Sequence, residues 1–211
     1  MSKTVLVTRP RHDPITNYLY YWSTELLKMA NQKGMDVFDL AGEKATRKNF
    51  ESYACKQPSL VFMNGHGNAD TITGDSNKPI VDKKSSIKTS VIYARSCDSA
   101  AALGQILVSG ATKAFIGYKR KFVMVYLPTH MHKPLNDPLA RLFLEPSNLA
   151  VSTILKGHTV QEANLRSKRA MNKNFQRMVS SQASDEEKYA ARWVWANMNS
   201  QVVLGNPNAK I

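Results

Sequence analysis

The sequence predicts an α/β fold in which a mostly parallel sheet of about six strands lies between two layers of helices. Short apolar segments alternate with helical segments from Lys3 to Tyr118, and this order is typical of parallel sheets with crossover helices. The segment SLVFMN is apolar over most of its length, as expected for a strand that is buried on both faces. At 211 residues and 43% hydrophobic, the chain can bury one full core, so we expect a single domain over residues 1–211.

Five strands and six helices are predicted in order along the chain. The predicted strands are KTVLVT, MDVFDL, SLVFMN, SVIYARS and ATKAFIGY. The first helix begins after Asp13, which is a suitable N-cap, with Pro14 at the first helical position. Later helices are predicted in KATRKNFESYACKQ, in DSAAALGQILVSG, at 139–155, at 159–178 and after SSQASDEEK.

Composition limits the classes of partner. The formal net charge is +13, and most of the excess positive charge lies in residues 111–211. This positive charge is explained either by a solvated basic face or by an anionic partner. Nucleic acid is the less favoured partner, because no zinc-finger spacing and no aromatic-interleaved basic repeat is present. No apolar run has secretory or membrane-spanning length, and two cysteines make no disulfide framework. We therefore expect a soluble cytoplasmic protein with free thiols.

One histidine follows the predicted third strand. In NGHGNAD, His66 lies between Gly65 and Gly67, which allow a sharp turn and a close approach of the backbone to another group. In open α/β sheets, ligands and catalytic groups gather at the carboxyl ends of the strands. His66 is therefore either a catalytic residue or a hydrogen-bonded structural histidine.

A cysteine follows the predicted fourth strand. Cys97, in VIYARSCDSAAALG, precedes a predicted helix, and a helix N-terminus favours the nucleophilic thiolate. If the third and fourth strands are neighbours, His66 and Cys97 lie side by side as base and nucleophile, and the amides near Gly67 and Cys97 can form an oxyanion hole. Cys55, inside a predicted helix, is expected to be a packing residue.

The pairing of NGHG with RSCDSA resembles the caspase-like superfamily of cysteine peptidases, which includes caspases, metacaspases, gingipains, clostripain, separase and CHAT domains. The segments LGQILVSGATKAFIGY, LKGHTVQEANLRSK and VLGNPNAKI are similar to segments that follow in the same order in gingipains and CHAT domains. Two departures are Asn206, where the closing segment usually has aspartate, and Ala100, where a glycine is frequent.

The resemblance implies a three-layer αβα caspase-like fold and a cysteine endopeptidase that forms a thioester acyl-enzyme. It implies His66 and Cys97 as catalytic residues, no cofactor and no metal, and a protein or peptide substrate, with a regulatory protein as a possible partner. The alternative is a catalytically inactive caspase-like domain that binds a protein or a polyanion.

The most detailed expectation concerns substrate preference. In this superfamily the residue two positions before the cysteine lines the pocket for the side chain that precedes the cut, and here it is Arg95. Caspases also use an arginine after the first strand, where this chain has Arg9 and Arg11. Guanidinium groups bind carboxylates, so we expect cleavage after Asp or Glu, helped by the basic segment at 119–121. The competing interpretation pairs Arg95 with a structural acid such as Asp98 and leaves the other basic residues facing solvent.

The remaining candidates are polar residues in loops. His130 and His132 have a spacing that suits two metal ligands but lack further ligands nearby, which favours a plain loop. His12 is expected near the edge of the sheet where His66 lies, and His158 on the surface. Asp70 and Asp75 either orient His66 or are ordinary loop acids, and we favour loop acids.

Overall fold

The computed structural model describes residues 3–211, so Met1 and Ser2, the first two residues of the predicted domain, lie outside the described part. A six-stranded sheet has the order β2-β1-β3-β6-β7-β8. Its first five strands are parallel, and β8 runs antiparallel to β7. The strands of this sheet are β1 (Thr4–Arg9), β2 (Asp36–Ala41), β3 (Leu60–Asn64), β6 (Thr89–Arg95), β7 (Thr112–Tyr118) and β8 (Gln201–Gly205). The predicted fold class is confirmed.

Helices cover both faces of the sheet. They are α1 (Pro14–Gln32), α2 (Arg47–Ala54), α3 (Leu103–Ser109), α4 (Pro138–Leu155), α5 (Val160–Met178) and α6 (Asp185–Ser200). One apolar cluster joins α1, α4 and α5 to strand residues such as Val7 and Phe62, and a second joins α2 and α3 to alternate residues such as Leu6 and Val61. The period of two along each strand thus divides its side chains between two cores. In the part of the chain that the structure describes, no helix combines the length and the apolarity that crossing a membrane requires.

The adjacency of β3 and β6 positions the site. These strands pair in parallel, with Leu60 opposite Val91 and Asn64 opposite Arg95 at their carboxyl ends. His66 follows Asn64 by two residues and Cys97 follows Arg95 by two residues. The register therefore brings the predicted histidine and cysteine to the same edge of the sheet.

Two local features differ from the sequence prediction. A two-stranded antiparallel hairpin, β4 (Thr71–Thr73) with β5 (Pro79–Asp82), follows the His66 loop and was not predicted. The helix after Cys97 begins only at Leu103, because residues 97–102 form turns in which Asp98 has a φ of 52°. A residue in this left-handed conformation cannot continue a right-handed helix.

Candidate active site

The loops after β3 and β6 are in direct contact. The backbone N–H of Leu103 donates to the carbonyl of Ala69 over 2.7 Å, which ties the start of α3 to the loop that carries His66. A Cβ placed on Gly67 would lie 2.2 Å from Ser96 Oγ, 2.6 Å from the carbonyl oxygen of Thr71 and 3.5 Å from the carbonyl oxygen of Cys97. The absence of a side chain at Gly67 therefore permits the two loops to pack this closely.

His66 is paired with a carboxylate. Its Nε2 lies 2.6 Å from Asp13 Oδ2, and 37% of the side chain is exposed. Among residues 3–211, no hydrogen bond involves its Nδ1, so one ring nitrogen is held and the other is open to a further partner. An imidazole oriented in this way by a carboxylate is the arrangement used by a general base.

Asp13 serves two structural purposes with its two oxygens. Oδ1 accepts from the backbone N–H of Thr16 over 2.8 Å, which makes Asp13 the N-cap of α1 in a capping box, as its position before Pro14 predicts. Burial acts to raise the pKa of Asp13, but the hydrogen bonds from Thr16 and His66 outweigh it, and the pKa is lowered. The cap is visible in the sequence, whereas the contact with His66, 53 residues away, is not.

Cys97 is partly buried in its turn. Its Sγ donates to the carbonyl of Phe122 over 3.5 Å. Burial raises the pKa of the Cys97 thiol, and the charge of Asp98 adds to this effect, while the charge of Lys121 opposes it. The expected thiolate-favouring helix N-terminus is not present at Cys97, because α3 begins six residues later. Within the described part of the chain, no hydrogen bond joins His66 to Cys97, so the predicted contact is not formed in this state.

Backbone donors are available at the edge of the sheet. Within residues 3–211, the N–H groups of Gly67 and Cys97 make no hydrogen bond, whereas the adjacent N–H of Asp98 donates to the carbonyl of Arg120 over 3.2 Å. Free amides at the two loops are the kind of donor that can stabilise an oxyanion.

Arg95 does not face this site. Its side chain is fully buried, and Nε and Nη2 donate to Asn64 Oδ1 over 2.9 and 2.7 Å. Further donations go to Asn148 Oδ1 and Ser23 Oγ, and the guanidinium lies 5.3 Å from the Phe62 ring centroid. Burial lowers the pKa of Arg95. The expected substrate-binding role is therefore wrong for this structure, and so is the alternative pairing with Asp98.

Arg9 and Arg11 differ in their availability. Arg9 is 6% exposed, its Nε donates to Asp39 Oδ1 over 2.8 Å, and its guanidinium stacks on Tyr20. This ion pair occupies Arg9, which corrects its expected role in substrate binding. Arg11 is exposed, and its Nε donates to Asn17 Oδ1 over 3.0 Å, so a role for Arg11 stays a prediction.

A basic pocket lies beside Cys97. Its volume is about 830 Å³, and its lining includes Asp98 and the exposed segment at 119–121, together with Trp193 and Trp195. Asp98 follows Cys97 directly in the chain, so this pocket adjoins the turn that carries the thiol. Three basic side chains and one acid line this pocket, so its formal charge is positive.

The other candidate residues lie in varied environments. His130 accepts or donates a hydrogen bond with Thr129 over 3.1 Å, and His158 pairs with Glu162 at 3.5 Å on the first turn of α5. Asp70 pairs with Lys83 on the surface and does not contact His66. Cys55 is exposed at the end of α2, so its expected packing role is wrong.

His12 lies beside the candidate site. Its ring centroid is 6.0 Å from that of His66, which confirms the expected proximity. Asp75 follows the β4 strand, and its Oδ1 is 4.0 Å from His12 Nδ1. Asp75 is thus near the site without contacting His66 itself.

Comparison with solved structures identifies the fold. The chain is similar to gingipain RgpB of Porphyromonas gingivalis in a complex of its pro- and mature domains, with a TM-score of 0.61 and 10% identity over 99% of this chain and 48% of that chain. It is also similar to the Arg-specific cysteine proteinase gingipain R, with a TM-score of 0.60 and 13% identity over 99% of this chain and 47% of that one. No protein-family model and no curated protein matches the sequence.

The likeness to these structures is a likeness of fold. The chain has the caspase-like fold of the gingipain cysteine peptidases, which confirms the resemblance that its motifs indicate. It spans about half the length of the solved chains that it matches.

Proposed function

We propose that this protein is a cysteine endopeptidase in which His66 and Cys97 act together. The observation that carries the proposal is the register of β3 and β6, which places both residues at one carboxyl edge of a caspase-like sheet. The open Nδ1 of His66 and the unpaired amides of Gly67 and Cys97 support it, because a base, a nucleophile and oxyanion donors are then all available on two loops in contact at that edge.

The reaction follows from these groups. His66 Nδ1 accepts the Cys97 proton, and the sulfur attacks the carbonyl carbon of the scissile bond. The amides of Gly67 and Cys97 donate to the developing oxyanion. The imidazolium then gives its proton to the leaving amine, and a thioester remains on Cys97. Water, activated by His66, hydrolyses the thioester and regenerates the thiol.

Asp13 is a positioning residue in this scheme. Its contact with Nε2 fixes the orientation of the ring and stabilises the imidazolium that forms when Cys97 loses its proton. Sγ donates to the Phe122 carbonyl, so the thiol must turn away from that oxygen to meet His66. Catalytic hydrogen bonds that are absent from a substrate-free protein commonly form when substrate binds.

The finer part of the proposal is cleavage after Asp or Glu. The pocket next to Cys97 carries Lys119, Arg120 and Lys121, whose charges attract a substrate carboxylate, while Trp193 and Trp195 supply an apolar wall. The similar gingipain R is Arg-specific. If this chain shared that preference, Asp98 in the pocket lining would be the acid that binds the substrate arginine.

A peptide-library cleavage profile tests both parts. We expect cleavage after Asp or Glu that weakens in the variant Arg120→Gln and strengthens in Asp98→Asn. The control variant is Lys84→Gln, which changes an exposed basic residue outside this pocket. Cleavage after Arg or Lys that is lost in Asp98→Asn would overturn the acidic preference but retain the peptidase.

The second candidate function is a caspase-like domain without catalysis that binds a protein or polyanion. The observation that favours it is the raised pKa of Cys97 in a state that has no hydrogen bond to His66. No cleavage of any library peptide, together with binding of an acidic polypeptide that is lost in Arg120→Gln, would support this candidate and contradict the first.

A further inference from the structure

Three side chains beside the catalytic edge form a cluster of metal-ligand type. His12, Asp13 and His66 each direct one donor atom to the same place, and these atoms lie within 4.8 Å of one another. His12 and Asp13 come from the loop between β1 and α1, whereas His66 follows β3. The contact between the two loops therefore assembles two imidazoles and one carboxylate from distant parts of the chain.

His12 has an unusual environment. Both of its ring nitrogens are shielded from solvent and have no hydrogen-bond partner among residues 3–211. Asp13 Oδ2 is 3.3 Å from Nε2, but the two groups are not aligned for a hydrogen bond. A shielded nitrogen without a partner is unfavourable, and a ligand that accepts its lone pair removes that penalty.

The separations of the donor atoms can be compared with those around a tetrahedral ion. With bonds of about 2.0–2.1 Å, adjacent ligand atoms around tetrahedral Zn²⁺ lie ~3.3 Å apart. His12 Nε2 and Asp13 Oδ2 already have this separation, at 3.3 Å, while Asp13 Oδ2 and His66 Nε2 are 2.6 Å apart and must separate by about 0.7 Å. The donor nitrogens of the two histidines lie within 4.8 Å of each other. Side-chain rotations of His66, which is 37% exposed, provide this adjustment.

A second carboxylate lies behind the cluster. Asp75 Oδ1 is 4.0 Å from His12 Nδ1, the nitrogen that would not bind the ion. Histidines that bind metal through one nitrogen commonly donate from the other to a carboxylate, which fixes the ring and its tautomer. Asp75 is close enough to accept this hydrogen bond after a small movement, once His12 binds the ion through Nε2.

We propose that His12, Asp13 and His66 form a Zn²⁺ site. Two imidazole nitrogens and one carboxylate are a ligand set that Zn²⁺ favours, with the fourth position left to water. Binding places the ion on His66 Nε2, in place of the contact with Asp13. One consequence, which rests on the proposed function, is that Zn²⁺ reversibly inhibits peptide cleavage, because an imidazole that binds the ion through Nε2 carries its proton on Nδ1 and cannot accept the Cys97 proton there.

Equilibrium dialysis of the full chain against Zn²⁺ tests the site without any activity assay. The background variant is Cys55→Ser with Cys97→Ser, because free thiols also bind zinc. We expect one equivalent per chain, a tenfold or larger loss of affinity in His12→Phe, which keeps the volume of the ring, and no change in His130→Ala with His132→Ala. Circular dichroism verifies that each variant is folded, and Asp13→Asn, which preserves the helix cap, is the second ligand variant.

The outcomes separate the two proposals. Zinc bound with equal affinity in His12→Phe and in Asp13→Asn would overturn the site, as would the absence of binding at submillimolar Zn²⁺. Either result leaves the peptidase proposal intact, because that is measured on metal-free protein. Absence of cleavage together with zinc binding that depends on His12 would retain the metal site and remove the peptidase.

Discussion

Asp13 Oδ2 and His66 Nε2 lie 2.6 Å apart, and the same aspartate caps α1 through its other oxygen. One residue thus links the start of a helix to the candidate base. The cap fixes the carboxylate, and the carboxylate orients the imidazole. Helix geometry and site geometry are therefore coupled at this position.

The variant Asp13→Asn separates these two roles. Asparagine caps helices about as well as aspartate, so we expect a melting temperature close to that of the wild type. The charge that stabilises the imidazolium is lost, so kcat/KM should fall by about 10²-fold. Asp13→Ala is the matched comparison, and it should lower stability as well by about 1 kcal/mol. An Asp13→Asn variant with full activity would show that the contact does not orient the base.

The order of cysteine modification depends on burial. Burial raises the pKa of Cys97, whereas Cys55 is exposed, so iodoacetamide should modify Cys55 first near pH 7.5. Modification of Cys97 should accelerate as the pH rises toward its raised pKa, because only the thiolate reacts. For the same reason kcat/KM of the free enzyme should increase above neutral pH. Mass spectrometry of labelled peptides measures both rates, and faster labelling of Cys97 at pH 7.5 would contradict this picture.

Gly67 is expected to matter for stability as well as for activity. A Cβ at this position meets Ser96 Oγ and the backbone carbonyl of Thr71, so Gly67→Val must displace both loops. The sequence alone favours a mainly catalytic effect. Overpacking against the backbone predicts that the free energy of unfolding also falls, by about 1–3 kcal/mol. Urea denaturation measures it. Ser96→Ala is the control, since removal of an unpaired hydroxyl should cost little, and an unchanged stability of Gly67→Val would contradict the packing seen here.

Arg95 is predicted to stabilise the fold and not to select substrate. Arg95→Ala leaves Asn64 Oδ1 without its donors and creates a cavity, so the free energy of unfolding should fall by about 2–4 kcal/mol. Arg11→Ala, at an exposed position, should change it by less than about 0.5 kcal/mol. The cleavage profile of any folded Arg95→Ala protein should match the wild type, and a changed profile would restore Arg95 to the pocket.

The sequence predicts those parts of the site that depend on strand order. Alternating elements place His66 and Cys97 after strands, and parallel pairing of β3 with β6 brings them to one edge. The direction of Arg95 is not predictable in this way, because its partners Ser23 and Asn148 come from remote helices. The turns at 97–102 were also missed, since small residues such as those of DSAAALG suit both a helix and a series of turns.

The central claim is that His66 and Cys97 form one catalytic unit, and a double-mutant cycle on peptide cleavage tests it most directly. We expect Cys97→Ala and His66→Ala each to lower kcat/KM by at least about 10²-fold, and the double variant to be scarcely worse than either single variant, because a nucleophile and its base are not additive. Cys55→Ala should retain nearly full activity. Cleavage that persists in Cys97→Ala, or that is lost in Cys55→Ala, would contradict the account.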